Sequence, residues 1–430
     1  MSTNLFCFHP YTKKRAIIYK ADSKFGRSQI MQYDFNAPVD RSKNFSLKYD
    51  ELKRVFGRED IIPLWVADMD LPTAQPIIDA IDRRNKQGIF GYTSRPESYF
   101  RSLCRWQEKR NGWQIDPGLV SYAPGVVPAL AGIVQEFSNP GDSIAFFTPV
   151  YPQFFHVVEN WDRIPATCQL IERDGYYTVD LDAFEQILRE KRPPLLILCN
   201  PHNPVGRVWN LEELQKIGEL CLRYGVKVIS DEIHSDIILF GNKHIPFASI
   251  SDEFAAITFT CLSASKTFNL AGLQAAFVVF PSPKAKKQFD KFWSRLDLSS
   301  NNCFSLVAVE AAFNDGEEWL EQVLRHFEQN MVYVQSFLQE HIPEIAVRLP
   351  ECTYLMWLNC KGLGLNDQGL ADFMVNKAKL GLNRGVTFGK GGEGYMRLNV
   401  ACPIGTLEKA MHQLKDAVDN LLHRSSSQSN

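Results

Sequence analysis

The sequence predicts an α/β fold, with a large domain built on a mostly parallel β-sheet followed by a smaller α+β domain. Near-continuous apolar runs at 143–147, 195–199, 226–230, 257–261 and 275–280 alternate with segments of helical periodicity. Runs without polar alternation belong to strands buried on both faces, which implies a parallel sheet covered by helices. The polar clusters of the chain fall just after these runs, where open parallel sheets bind ligands. From about residue 317 the pattern changes to long helices and short strands.

The chain has 430 residues, enough for about two or three domains. Hydrophobic residues make up 45%, which supports a real core and argues against disorder. The net charge of −2 gives no global basic field for nucleic acid. No apolar stretch approaches the roughly 20 residues of a membrane helix. Ten cysteines are scattered without a CxxC pair. That is the pattern of reduced thiols in the cytoplasm rather than of a disulfide frame or a zinc site.

Residues 1–30 carry Lys13, Lys14, Arg15, Lys20, Lys24 and Arg27 against Asp22 alone. They lack the apolar core of a secretory signal. An organelle-targeting peptide is one reading; a dispensable extension, with the functional chain starting near Met31, is the favoured one. Residues 31–76 are expected to pack with the small domain or to arm across the site. The large domain should span 77–316 and the small domain 317–423. Residues 424–430, rich in serine, should form a disordered tail. Between the second and third runs, Leu211, Leu214, Ile217, Leu220 and Cys221 make one apolar helical stripe, with Asn210 as N-cap and Gly225 just past the end. Helices are also expected at 319–341 and 407–422, and short strands at 354–358 and 395–400.

Two strand ends carry the chemistry. The run 226–230 ends in Asp231-Glu232-Ile233-His234, and the run 257–261 leads through Ser263-Ala264-Ser265 to Lys266, which is expected to open a loop. A carboxylate at one strand end and an amine at another suggest a site for imine chemistry. Lysine forms Schiff bases with pyridoxal phosphate, and that cofactor needs an acid partner for its ring nitrogen. Gly125, Val126 and Val127 open a helix after Pro124. Glycine allows close backbone approach, and the helix N-terminus offers free N–H groups to a phosphate.

Asn203-Pro204-Val205-Gly206, Ser230 to His234, Ser263 to Lys266, and Arg397 stand in the order used by fold-type I pyridoxal phosphate enzymes. Over about residues 33–422 the chain thus resembles the class I/II aminotransferase group, which has the aspartate aminotransferase, or PLP-dependent transferase-like, fold. Trp65-Val66-Ala67-Asp68-Met69-Asp70, Phe90-Gly91-Tyr92, the Asp-Glu-Ile-His run and Arg397-Leu398-Asn399 resemble the cystathionine β-lyase branch typified by MalY and PatB.

The resemblance implies roles for single residues. Lys266 holds the cofactor and, once freed, takes the Cα proton of the substrate. Asp231 pairs with the ring nitrogen; taken alone, it reads equally well as a strand-end cap or as a partner of Lys227. Asn203 and His234 attend the ring oxygen, and His234 stands where aminotransferases carry a tyrosine. Tyr151 stacks on the ring. Ser263 and Ser265 add hydroxyls to the phosphate site. Tyr92 reaches the cofactor phosphate and substrate of the partner subunit in a homodimer with shared sites. Arg397 grips the substrate carboxylate, which a planar fork suits better than a lysine does. Glu232 reads as a support of local structure.

One position departs from many aminotransferases. They place an arginine eight residues after the lysine, and this chain has Gln274, which favours the lyase branch. The string Gly389-Lys390-Gly391-Gly392-Glu393-Gly394 matches GxGxxG but leads into a strand, so it is not read as a dinucleotide site. The Asn44-Phe45-Ser46 sequon is set aside.

The activity implied is cleavage of L-cystathionine or a cysteine S-conjugate to pyruvate, ammonia and a thiol. An aminotransferase is the alternative enzyme. A pyridoxal-phosphate-binding regulator that contacts a transcription factor is the alternative of another class. The implied partner is a small sulfur amino acid; neither nucleic acid nor membrane is implied, and no metal.

Overall fold

A seven-stranded sheet organises the chain. In sequence order its strands are β1 (Val120–Ala123), β2 (Ser143–Thr148), β3 (Ile164–Gln169), β4 (Leu195–Cys199), β5 (Lys227–Asp231), β6 (Thr258–Leu262) and β7 (Ala276–Val279). Across the sheet they lie in the order β1-β7-β6-β5-β4-β2-β3. Strand β7 runs antiparallel to both neighbours, and the other pairings are parallel. The computed structural model describes residues 31–428, so the expectations for the basic segment 1–30 lie outside the described residues. From Tyr33 onward the chain forms one compact unit.

The apolar runs are continuous because both faces of the sheet are covered. Ile144 and Phe146 of β2, Leu195 and Ile197 of β4, and Ile229 of β5 enter one core cluster. Ala145, Phe147, Leu196, Leu198 and Val228, one position out of step, enter the cluster on the other face. That is the period-two geometry of a strand with apolar cover on both sides. Strands β1 and β3 escaped the sequence reading. Strand β3 is an edge strand with Ile164 exposed, so it carries no unbroken apolar run.

Helix α1 (Val126–Phe137) follows β1, and α2 (Leu211–Tyr224) follows β4. Asn210 and Glu213 form a capping box at the start of α2, and Gly225 closes it in the left-handed conformation, both as expected for the N-cap and the terminating glycine. Lys266 does not open a loop. It lies in a short helix, α3 (Ala264–Thr267), started by the Ser263 side chain, which accepts the Ser265 N–H.

Beyond α4 (Glu317–His341) stands a three-stranded antiparallel sheet of β8 (Leu355–Asn359), β9 (Asn383–Arg384) and β10 (Tyr395–Asn399), with β10 in the middle. The glycine string at 389–394 runs straight into β10. Ile62–Pro63 pairs in parallel with Leu380–Gly381, so the early chain is tied to this later part. The closing helix α5 (Ile404–Gln428) continues through most of the tail expected to be disordered. No helix among the described residues is long and apolar enough to cross a membrane.

Candidate active site

The carboxyl ends of the parallel strands all point to one edge of the sheet. There β1 delivers Gly125, β2 delivers Tyr151, β4 delivers Asn203, β5 delivers Asp231 and His234, and β6 delivers Ser263 to Lys266. Strand β10 of the small sheet adds Arg397.

Asp231 is buried, and its carboxylate accepts the Ile233 N–H at Oδ1 at 3.2 Å. Burial pushes its pKa up to about 7. It makes no ion pair with Lys227, whose ammonium lies over the Phe137 ring. Lys266 is half-buried and donates from Nζ to the Ala67 carbonyl at 2.7 Å. Burial and then the Arg397 charge push its amine down to about 8, while Asp68 and Asp231 act in the opposite direction.

Arg397 is buried, with no carboxylate partner among the described residues. Its guanidinium donates to the Trp65 carbonyl (3.0 Å), Asn383 Oδ1 (2.7 Å) and Asn203 Oδ1 (3.2 Å), lies over the Phe388 ring and leaves Nε unpartnered. Burial pushes its pKa down to about 10. A buried guanidinium that lacks an anion is a receptor for one.

His234 is buried with Nδ1 unpartnered. Burial first, then the charges of Lys266 and Arg397, hold its pKa well below the usual range, so the ring is neutral at neutral pH. Tyr151 is half-buried, and burial raises its phenol pKa, with the Arg397 charge lowering it and the Asp231 charge raising it.

Gly125 begins α1 with no side-chain cap, so the first N–H groups of the helix, those of Val126 and Val127 included, have no partner within it. Its φ of 150° is disfavoured for residues with a side chain, and a Cβ there would lie 3.3 Å from Pro128 Cδ. The Ser263 hydroxyl is occupied. It accepts the Ser265 N–H, contacts Ser265 Oγ at 2.7 Å and donates to the Ala275 carbonyl at 2.7 Å. Ser265, half-exposed, is the hydroxyl at the rim. Gln274 is exposed and holds the left-handed conformation before β7. Tyr92 is not brought into this group; its side chain is fully exposed.

The irregular run 65–69 crosses the site, and side chains hold each of its carbonyls. Arg397 holds that of Trp65, and Asn399 holds those of Val66 (2.6 Å) and Asp68 (2.7 Å). Lys266 and Tyr354 share that of Ala67, and Asn269 and Arg41 share that of Met69. Arg41 also pairs with Asp68 and Asp70, and the fully buried Lys48 ammonium pairs with Asp70 at 2.8 Å. Tyr354, Asn269 and this charge cluster were not singled out from sequence. Tyr354 gave one signal, a hydroxyl opening an otherwise apolar strand. Glu232 supports local structure as expected, through Ser230, the Phe247 N–H and His244.

The group fits pyridoxal phosphate. An anion lacking a cation suits a protonated ring nitrogen, the unpartnered His234 Nδ1 and the Asn203 amide nitrogen suit the ring oxygen, an uncapped helix start suits a phosphate, and a half-buried amine suits an aldehyde.

The family model for aminotransferase class I and II matches residues 59–414. Cystathionine beta-lyase PatB of Bacillus subtilis is 42% identical over 385 residues, covering 90% of this chain and 100% of that protein. A PLP-bound putative aminotransferase from Clostridium difficile superposes with a TM-score of 0.89 at 46% identity, covering 90% of this chain and 100% of the other. Cystalysin from Treponema denticola, whose crystal contains a pyridoxal 5'-phosphate cofactor, superposes with a TM-score of 0.88 at 34% identity, covering 91% and 100%. The fold is therefore the PLP-dependent transferase-like fold expected from the sequence, and the chain belongs to the class I and II aminotransferase family, on the branch that includes PatB.

Proposed function

We propose that this protein is a pyridoxal-phosphate-dependent carbon–sulfur β-lyase that cleaves L-cystathionine or a cysteine S-conjugate to pyruvate, ammonia and a thiol. The observation that carries the reading is a buried guanidinium without an anion, Arg397, in the same site as a half-buried amine of lowered pKa, Lys266. The relatedness to PatB supports the choice of reaction. Bound here, pyridoxal phosphate supplies an electron-withdrawing ring that makes the Cα–H of an amino acid acidic and lets a leaving group depart from Cβ.

The chain's own residues do the rest. Arg397 takes the substrate carboxylate in a forked pair and so fixes which Cα bond faces Lys266. Lys266, partly neutral near neutral pH because its pKa is about 8, removes the Cα proton. Asp231 keeps a proton on the ring nitrogen, since a buried carboxylate without a cation favours one there. Asn203 and the neutral His234 orient the ring oxygen, and Tyr151 covers a ring face. Val126 and Val127 N–H groups and Ser265 hold the phosphate, with Ser263 bracing Ser265.

The working form is a homodimer. Ile89, Phe90 and Tyr92 are exposed, and so are Leu296 and Leu298. Thr93 donates to the Asn301 carbonyl (2.8 Å) and Arg95 to the Ser299 carbonyl (2.6 Å), so the two segments are joined, and their exposed apolar residues support a dimer contact there. Exposed Tyr92 serves the partner's site.

Purified protein supplied with cystathionine should release pyruvate and free thiol in equal amounts without added keto acid. Amino transfer that depends on a keto acid, without thiol release, overturns the lyase reading in favour of an aminotransferase.

A further inference from the structure

The Ala67 carbonyl oxygen accepts two side-chain hydrogen bonds, from Lys266 Nζ at 2.7 Å and from the Tyr354 hydroxyl at 2.9 Å. A carbonyl oxygen has two lone pairs, so both fit. Tyr354 is buried; its ring meets His234 edge-on at 6.3 Å and Phe327 at 5.4 Å, and its own carbonyl accepts the Val400 N–H at 2.9 Å. A phenol held on ring, backbone and hydroxyl has one orientation available. Asn399 clamps the carbonyls on either side of Ala67 but leaves that of Ala67 to this pair.

We propose that Tyr354 is a positioning residue for the Lys266 amine, its hydroxyl fixing the Ala67 carbonyl as the point where the freed amine docks. The proposal rests on the reading of Lys266 as the reactive amine. A fixed acceptor holds the amine in one place between taking the Cα proton and giving it back. Sharing the oxygen also weakens its hold on an ammonium, which helps Lys266 return the proton. The other groups facing Lys266 are Arg397 from β10, Asp68 from the crossing run, and Asp231 and His234 from the end of β5. Tyr354→Phe leaves all of these in place and keeps the ring packing.

The test reads Lys266 directly in cofactor-free protein, by trace acylation with acetic anhydride across pH and mass spectrometry of the peptide that contains it. Tyr354→Phe should raise the pH of half-modification by about half a unit, seen as about threefold slower labelling at a fixed lower pH. Tyr177→Phe is the control. Its hydroxyl is likewise buried and accepts from Trp357 Nε1 at 3.1 Å, and its loss should leave Lys266 unmoved. In cofactor-loaded enzyme, Tyr354→Phe should lower kcat about tenfold with KM changed less than about twofold. A half-modification pH that stays put or falls in Tyr354→Phe, or that rises equally in Tyr177→Phe, overturns the proposal. A rise confined to Tyr354→Phe in a protein that releases no thiol sustains the docking point and sinks the proposed reaction instead.

Discussion

Asp231 is a buried carboxylate held by a backbone N–H. Burial lifts its pKa from the ordinary value near 4 to about 7. Between those pH values the folded, cofactor-free protein keeps a proton there that the unfolded chain releases, so this residue's contribution to stability falls as pH rises from about 4 to about 7. His234, depressed by burial, works with the opposite sign and loses stability as pH falls below about 6.5. Comparison with Asp231→Asn, which keeps His234, isolates the carboxylate. In cofactor-free protein, the melting temperature of the wild type minus that of Asp231→Asn should decline across this window, and pyridoxal phosphate should shrink the decline by supplying a cation. A difference that is flat with pH would refute the assignment. At this scale the sequence was legible where chemistry concentrates in side chains, at or beyond strand ends for Asp231, His234 and Lys266 and within β10 for Arg397. It was not legible where the partner is a backbone carbonyl. The Ala67 oxygen has no letter of its own, so Tyr354, which acts through it, read as one more aromatic in a strand.

Among the elements, the turn at 203–206 shows how strand-end loops are locked. Gly206 has φ 68°, and a Cβ there would lie 2.3 Å from Pro350 Cβ. Its N–H donates to the His202 carbonyl, and its carbonyl accepts the Glu351 N–H at 2.8 Å. Arg207 next to it is buried in ion pairs with Glu213 and Glu351. Gly206→Ala combines left-handed strain with overpacking and should cost roughly 2–5 kcal/mol. Denaturant titration checks this, and a midpoint equal to wild type would show that the turn yields. Strands β2, β4, β5 and β7 were legible because burial on both faces leaves no polar alternation, and β6 by its β-branched and aromatic residues. Strand β3 was hidden by its edge position. Helix α3 was hidden by its length, since one turn carries no periodicity.

For the whole molecule, the proposed sharing of the site with a neighbouring chain would make activity a property of the pair. Lys266→Ala and Tyr92→Ala should each be inactive alone. Unfolded together and refolded, they should regain about one quarter of wild-type turnover, because half the dimers are mixed and each mixed dimer has one intact site. No recovery, in a sample shown to exchange subunits, would rule out the shared site. The solvent-facing position of Tyr92 in the single chain was not legible from composition; only its resemblance to a known motif pointed outward.

The crossing run 65–69 engages the two cationic side chains of the site, Lys266 and Arg397, on a shared strip of backbone. Grips on its main-chain oxygens fix its length, while the Lys48 carbonyl, Arg41 and the core hold its Trp65, Asp68 and Met69 side chains. One residue inserted or deleted there would shift every acceptor by a position and separate the reactive amine from the carboxylate receptor, although no catalytic letter had changed.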